Sequence, residues 1–175
     1  MKPRLRLAVS SQSHVGVAIA TGMAGSNSSI RRDVSRVSRQ ERNGSVCILL
    51  VNADLVVLEQ LGRCLSSEGH EVVAVPTFQM AKEMYNAIGP DLVVADVRLE
   101  AFNGLYLAAW IRFEPTLVKS PIIITHFEPE PVLEVEARRL DTAFIVDPLH
   151  NPDFLPHVRA ALAESRRALP TFGRR

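Results

Sequence analysis

Three carboxylates stand where short apolar runs end: Asp54 after "CILLVNA", Asp96 closing "DLVVAD" and Asp147 closing "TAFIVD". Asn52 and Ala53 lead into the first of them, and Thr125 and His126 close a fourth run, "PIIITH". Carboxylates, an amide, a hydroxyl and an imidazole at run ends are the residue types of a polar site. Several chemistries are excluded at once. The five His residues make no HExxH-like or paired-ligand spacing, no glycine-rich phosphate loop follows any run, and no nucleophile stands with a recognisable base.

The elements that must position these residues follow from hydrophobic period. "SVCILLV" (45–51), "HEVVAV" (70–75), "DLVVAD" (91–96), "PIIITH" (121–126) and "TAFIVD" (142–147) read as strands, the third apolar enough to be covered on both faces. Between them lie amphipathic stretches. Residues 54–69 place Leu55, Leu58, Leu61 and Leu65 on one helical face with Gly69 as the stop, and Thr77 caps a helix through Ile88 that ends at Gly89-Pro90. Asn103 caps a helix to about Phe113, Pro129 to Leu140 is a weaker helix, and Asn151-Pro152 starts the last one. Five strands alternating with five helices predict a parallel sheet with helices on both faces. In such sheets the site lies beyond the C-terminal strand ends, where all the polar residues above fall.

Charge divides the chain unevenly. Of 20 Lys/Arg and 19 Asp/Glu, residues 1–44 hold eight and two, which leaves 12 against 17 in residues 45–175. The part that folds is mildly acidic and carries no nucleic-acid signature. Residues 26–45, "SNSSIRRDVSRVSRQERNGS", read as a linker too polar to offset its ordering entropy. Residues 1–44 are therefore expected to be a disordered basic leader, or to follow from a start codon assigned too early; "VGVAIATGMAG" at 15–25 only faintly resembles a signal peptide. No apolar stretch approaches the roughly 20 residues of a membrane span. Cys47 and Cys64 suit buried thiols, and a cytoplasmic location is the default.

In order and spacing, "ILLVNAD", "PDLVVADVRLEAFNGLYLAAWIR" (90–112) and "FIVDPL" (144–149) closely resemble the receiver domain of two-component response regulators. The resemblance covers about residues 45–166. It implies a flavodoxin-like doubly wound fold with strand order 2-1-3-4-5, a receiver domain over 45–168 and a short tail at 169–175. It implies no enzyme, but a phosphorelay module. Asp96 matches the aspartate that accepts a phosphoryl group from a histidine kinase. Asn52 and Ala53 take the places of the acidic pair that holds magnesium, with Asp54 one position further on. Asp147 stands where the family has its phosphate-gripping lysine. Thr125 or His126 takes the switch hydroxyl's position: Thr125 is the only hydroxyl there, yet counting from Pro121 favours His126. Phe144 matches the aromatic switch residue.

These departures bear on the chemistry. Phosphoryl transfer to a carboxylate needs cations around the acceptor. Losing two anionic ligands at Asn52 and Ala53 leaves at most a weak magnesium site of Asp96 and Asp54, so no cofactor is expected. A carboxylate at Asp147 in place of a cation is expected to repel Asp96 by about 4 kcal/mol, for charges about 4 Å apart at an effective dielectric of about 20. The expected function is a stand-alone, degenerate receiver acting by protein contact. Its partner would be a histidine kinase or another signalling protein, with a homodimer through the helix 4–strand 5–helix 5 face, and with no nucleic acid or membrane involved. Two alternatives stay open: a working phosphoacceptor at Asp96 with atypical helpers, and a small-molecule binding protein on the same fold.

Overall fold

The computed structural model of the chain describes residues 17–19, 46–117 and 119–167. In chain order its elements are β1 (Val17–Ile19), β2 (Cys47–Val51), α1 (Leu55–Ser67), β3 (Glu71–Val75), α2 (Phe78–Ile88), β4 (Leu92–Asp96), β5 (Arg98–Leu99), β6 (Phe102–Asn103), α3 (Gly104–Phe113), β7 (Ile122–His126), α4 (Pro131–Arg139), β8 (Ala143–Val146) and α5 (Phe154–Arg167). Six strands pair in parallel as β1-β3-β2-β4-β7-β8. The five expected strands stand in the expected order, 2-1-3-4-5. The sheet is one strand wider, because Val17–Ile19 pairs with Val72–Ala74 at the edge. Those three residues belong to the segment 1–44 expected as a disordered leader; the rest of that segment, and the tail 169–175, lie outside the described residues.

Sequence explains the layering. β2, β4 and β7 are buried at all five positions, as strands with helices on both faces must be, whereas β3 and β8 are only partly buried. Alternation sends Ile48, Leu50, Leu92, Val94 and Ile123 to one face, where Leu58, Leu61 and Leu65 of α1 and Phe154, Val158 and Leu162 of α5 cover them. Leu49, Val51, Val93, Ala95, Ile122 and Ile124 face the other way, under Ala81 and Tyr85 of α2 and Leu107, Ala108 and Ile111 of α3. Each fully buried Leu or Ile contributes about 1.5–3 kcal/mol relative to exposure. Cys47 lies buried in β2, while Cys64 is only half-buried on α1, its thiol pushed up by burial and by the charge of Glu68.

Helix ends fall where caps permit. Thr77 Oγ1 accepts the Met80 N–H at 3.3 Å, and Gly89 ends α2 in the left-handed region at φ 53°. α5 begins at Phe154 rather than at Pro152. Asn151 instead heads a turn, accepting the Asp153 N–H through its side chain and the Phe154 N–H through its carbonyl. Pro156 lies within that helix's first turn, where a missing N–H costs no bond. The segment after β4, expected as a loop, closes as a β5–β6 hairpin around Glu100 at φ 41°.

Candidate functional site

β4 and β7 bring Asp96 and Thr125 side by side, because their register pairs these two residues directly. Both are buried, and the Thr125 hydroxyl donates to Asp96 Oδ2 at 3.3 Å. The other carboxylate oxygen, Oδ1, accepts the Arg98 N–H at 2.8 Å. Burial pushes the Asp96 carboxyl above the usual carboxylate range. The Arg98 amide, the His126 imidazole, the Thr125 hydroxyl and the Arg98 guanidinium pull it partly back. The charges acting on Asp96 thus lower its pKa, and the rise comes from desolvation.

Thr125, not His126, is therefore the residue that touches Asp96. Successive strand residues point to opposite faces, so His126 shares its face with Ile122 and Ile124. It is 2% exposed, and its Nδ1 is buried without a hydrogen-bond partner. Phe144 is half-buried on that same side, packed against the core beneath α2 and α3.

The residues after β2 are committed to local work. Asn52 is buried, and its Oδ1 accepts the Asp54 N–H at 2.8 Å. Asp54 is exposed and caps α1, its Oδ1 accepting from the amides of Val56 at 2.8 Å and Val57 at 3.2 Å. Ala53 is half-buried and brings no donor or acceptor in its side chain. Asp147 sits at φ 47°, which Asp tolerates better than most residues. Its carboxylate meets His150 Nδ1 at 2.9 and 3.1 Å, and its N–H donates to the His126 carbonyl at 2.7 Å. Among the described residues, no group of three or more His, Cys, Asp or Glu is placed to hold a metal ion.

Gly104 is a site residue whose role the sequence pattern leaves open. A Cβ at this position would lie 2.2 Å from the Asp96 carbonyl oxygen, so only glycine lets α3 start against the strand that carries Asp96. Asn103, just before it, caps α3 as expected by accepting the Leu105 N–H at 2.7 Å. The "NG" pair was visible; the close approach that demands it is tertiary. At the opposite end of the sheet, Arg112 donates to the carbonyls of Ser120, Leu140 and Asp141, tying α3 to the entry of β7 and the end of α4.

The family model of the response regulator receiver domain matches residues 48–149. The sensory transduction protein BceR of Halalkalibacterium halodurans is 27% identical over 116 residues, covering 66% of this chain and 49% of its own length. The response regulator protein GraR of Staphylococcus epidermidis is 26% identical over 126 residues, covering 72% and 54%. The chain spans about half the length of the curated relatives it matches. A CheY-like receiver domain protein of Methanospirillum hungatei superposes with a TM-score of 0.62 at 21% identity, over 70% of this chain and 98% of that one. The signal receiver domain of a histidine kinase from Syntrophus aciditrophicus gives 0.64 at 23% identity, over 74% and 98%. No helix among the described residues is long and apolar enough to cross a membrane.

Proposed function

This chain belongs to the response regulator receiver domain family, and on that premise we propose that it is a degenerate receiver, one that signals by protein contact with its phosphoacceptor chemistry weakened or lost. The observation that carries the reading is the state of Asp96. Both of its oxygens are taken by internal donors, in a buried pocket that already disfavours its charge. Magnesium asks for several oxygens in near-octahedral array and usually one or two carboxylates. This donor set does not fit it: Asn52 Oδ1 holds the Asp54 amide, Asp54 Oδ1 caps α1, and Ala53 offers only backbone. Asp147, where a cation would grip the phosphoryl group, brings a carboxylate bound to His150.

The partner is a protein, a histidine kinase or another signalling protein, and the α4 face suits it. Glu134 pairs with Arg138 and Glu136 with Arg139 within the helix, which neutralises most of its charge. Val132 and Val135 are left exposed on the helix, as is Phe127 in the segment that leads into it, enough apolar surface for a contact of modest size.

The test is phosphorylation with acetyl phosphate, or beryllofluoride binding, in the presence of magnesium, read by intact mass and by Trp110 fluorescence. The wild type is compared with the combined Asn52→Asp, Ala53→Asp and Asp147→Lys variant. The expected result is an adduct on the combined variant alone. A stoichiometric wild-type adduct that disappears with Asp96→Asn sinks the degenerate reading and leaves the working phosphoacceptor.

A further inference from the structure

α3 is apolar almost all round. Its inner face buries Leu107, Ala108 and Ile111, yet Tyr106 and Phe113 stand exposed on the outer face, with Trp110 half-buried beside them and edge-on to Tyr85 at 5.7 Å between ring centroids. Phe102 extends this stripe at the helix entrance, stacked on Phe78 with ring centroids 4.6 Å apart. Tyr106 is 65% exposed, Phe113 75% and Phe102 53%. A helix that is hydrophobic on every side is one that is covered on every side.

We propose that this stripe is a homodimer interface, in which α3 of one copy packs on α3 of a second about a two-fold axis. An aromatic side chain covers about 150–250 Å² when fully buried, so these three exposed rings offer about 400 Å² per copy, already half of the roughly 800 Å² per partner of a standard interface. Ala109, half-buried between Tyr106 and Phe113, lets two helices approach closely.

Charge selects the occupant. The only ionisable charge on α3 is Arg112, and its guanidinium is turned to three carbonyls of its own chain. Lys82, at the border, lies over the rings of Trp110 and Phe78, 4.9 and 5.7 Å from their centroids. Beyond the helix the rim is of mixed sign, with Lys82 and Arg98 against Glu100 and Glu114, so it has neither the single-sign field that selects a charged partner nor the basic rim that seats a helix on a bilayer. A two-fold axis sets aromatic rings against aromatic rings without like-charge contact. This stripe lies on a different helix from Val132 and Val135, and it begins at the hairpin whose Arg98 amide holds Asp96.

Sedimentation velocity of the 175-residue chain from about 1 to about 200 µM, a range that brackets a weak dimer, tests the proposal. The mass is expected to double across that range, with Trp110 emission shifting to shorter wavelength as its ring is covered. Tyr106→Glu with Phe113→Glu is expected to stay monomeric, and Val132→Glu with Val135→Glu on α4 to dimerise like the wild type. Circular dichroism at low concentration checks folding, and Ala109→Arg decides the matter if the first pair fails to fold. A wild type that stays monomeric throughout overturns the proposal. So does a dimer that survives the α3 substitutions or is lost only with those on α4.

Discussion

Gly104→Ala probes how tightly the start of α3 is pressed against the strand that carries Asp96. The new Cβ would lie 2.2 Å from the Asp96 carbonyl oxygen and 3.0 Å from its carbonyl carbon. Carbon and oxygen meet comfortably at about 3.3 Å or more, so one backbone must retreat by about 1 Å. No flexible side chain is available to absorb that movement. Helix propensity argues the other way, since alanine is favoured over glycine by about 0.5–1 kcal/mol. Overpacking costs about 1–3 kcal/mol and occasionally more, and the retreat also strains the 3.0 Å bond from the Gly104 N–H to the Val97 carbonyl, worth about 1 kcal/mol. The clash wins, and the expected net loss is about 1–3 kcal/mol, or about 3–10 °C in the melting midpoint. Thermal and urea unfolding measure it. Gly89→Ala is the reference: that glycine has φ 53° and no atom within 4 Å of where a methyl would sit, so its cost is about 1 kcal/mol of backbone strain alone. A Gly104→Ala protein as stable as the wild type would refute the reasoning.

Asp96→Asn is expected to stabilise the protein at neutral pH. A carboxyl whose folded pKa is raised contributes stability below its unfolded pKa of about 3.9 and loses it as pH rises through the folded value, so the wild type should fall behind the variant as pH climbs. Urea midpoints between about pH 3.5 and 7.5 check the sign, and parallel curves would contradict it. Thr125→Val removes the hydroxyl from Asp96 Oδ2 and should cost about 1 kcal/mol near neutral pH, with a smaller effect where Asp96 is protonated, measured in the same titration. Arg112→Lys leaves at least one of three carbonyls without its donor, for an expected loss of about 2 kcal/mol by urea unfolding.

The sheet was legible because its strands are short, apolar and separated by capped helices, and local chemistry at Thr77, Gly89 and Asn103 set those boundaries. β1 was not, since three residues in a Gly- and Ala-containing stretch become a strand only by pairing with β3, a contact across more than 50 residues. The strand-end polar residues were legible as a set, but their directions were not. Counting from Pro121 favoured His126, whereas the parallel register sets Thr125 opposite Asp96. At Asp147 the backbone is left-handed and the carboxylate meets the histidine three residues on, neither of which the strand-end pattern announces. Such choices depend on backbone dihedrals and interstrand register, which residue spacing does not encode.

The way each polar group is satisfied bears on what this strand end can still do. Asn52 bonds two residues along the chain, Asp54 two and three, and Asp147 three. Among these four side chains Asp96 alone makes a long-range polar tie, and that tie is to a neutral hydroxyl. A site organised around a cation gathers carboxylate oxygens from different elements toward one point, and bears their mutual repulsion until the ion arrives. Here Asp54 and Asp147 are held by donors within three residues, and the charges acting on Asp96 are those of His126 and Arg98 rather than of another acid. The remaining polar demand lies with His126, whose buried Nδ1 has no partner. An unsatisfied buried nitrogen costs about 1–3 kcal/mol. Recovering that energy requires a donor or acceptor from outside the present set, or movement of the β7 end toward solvent.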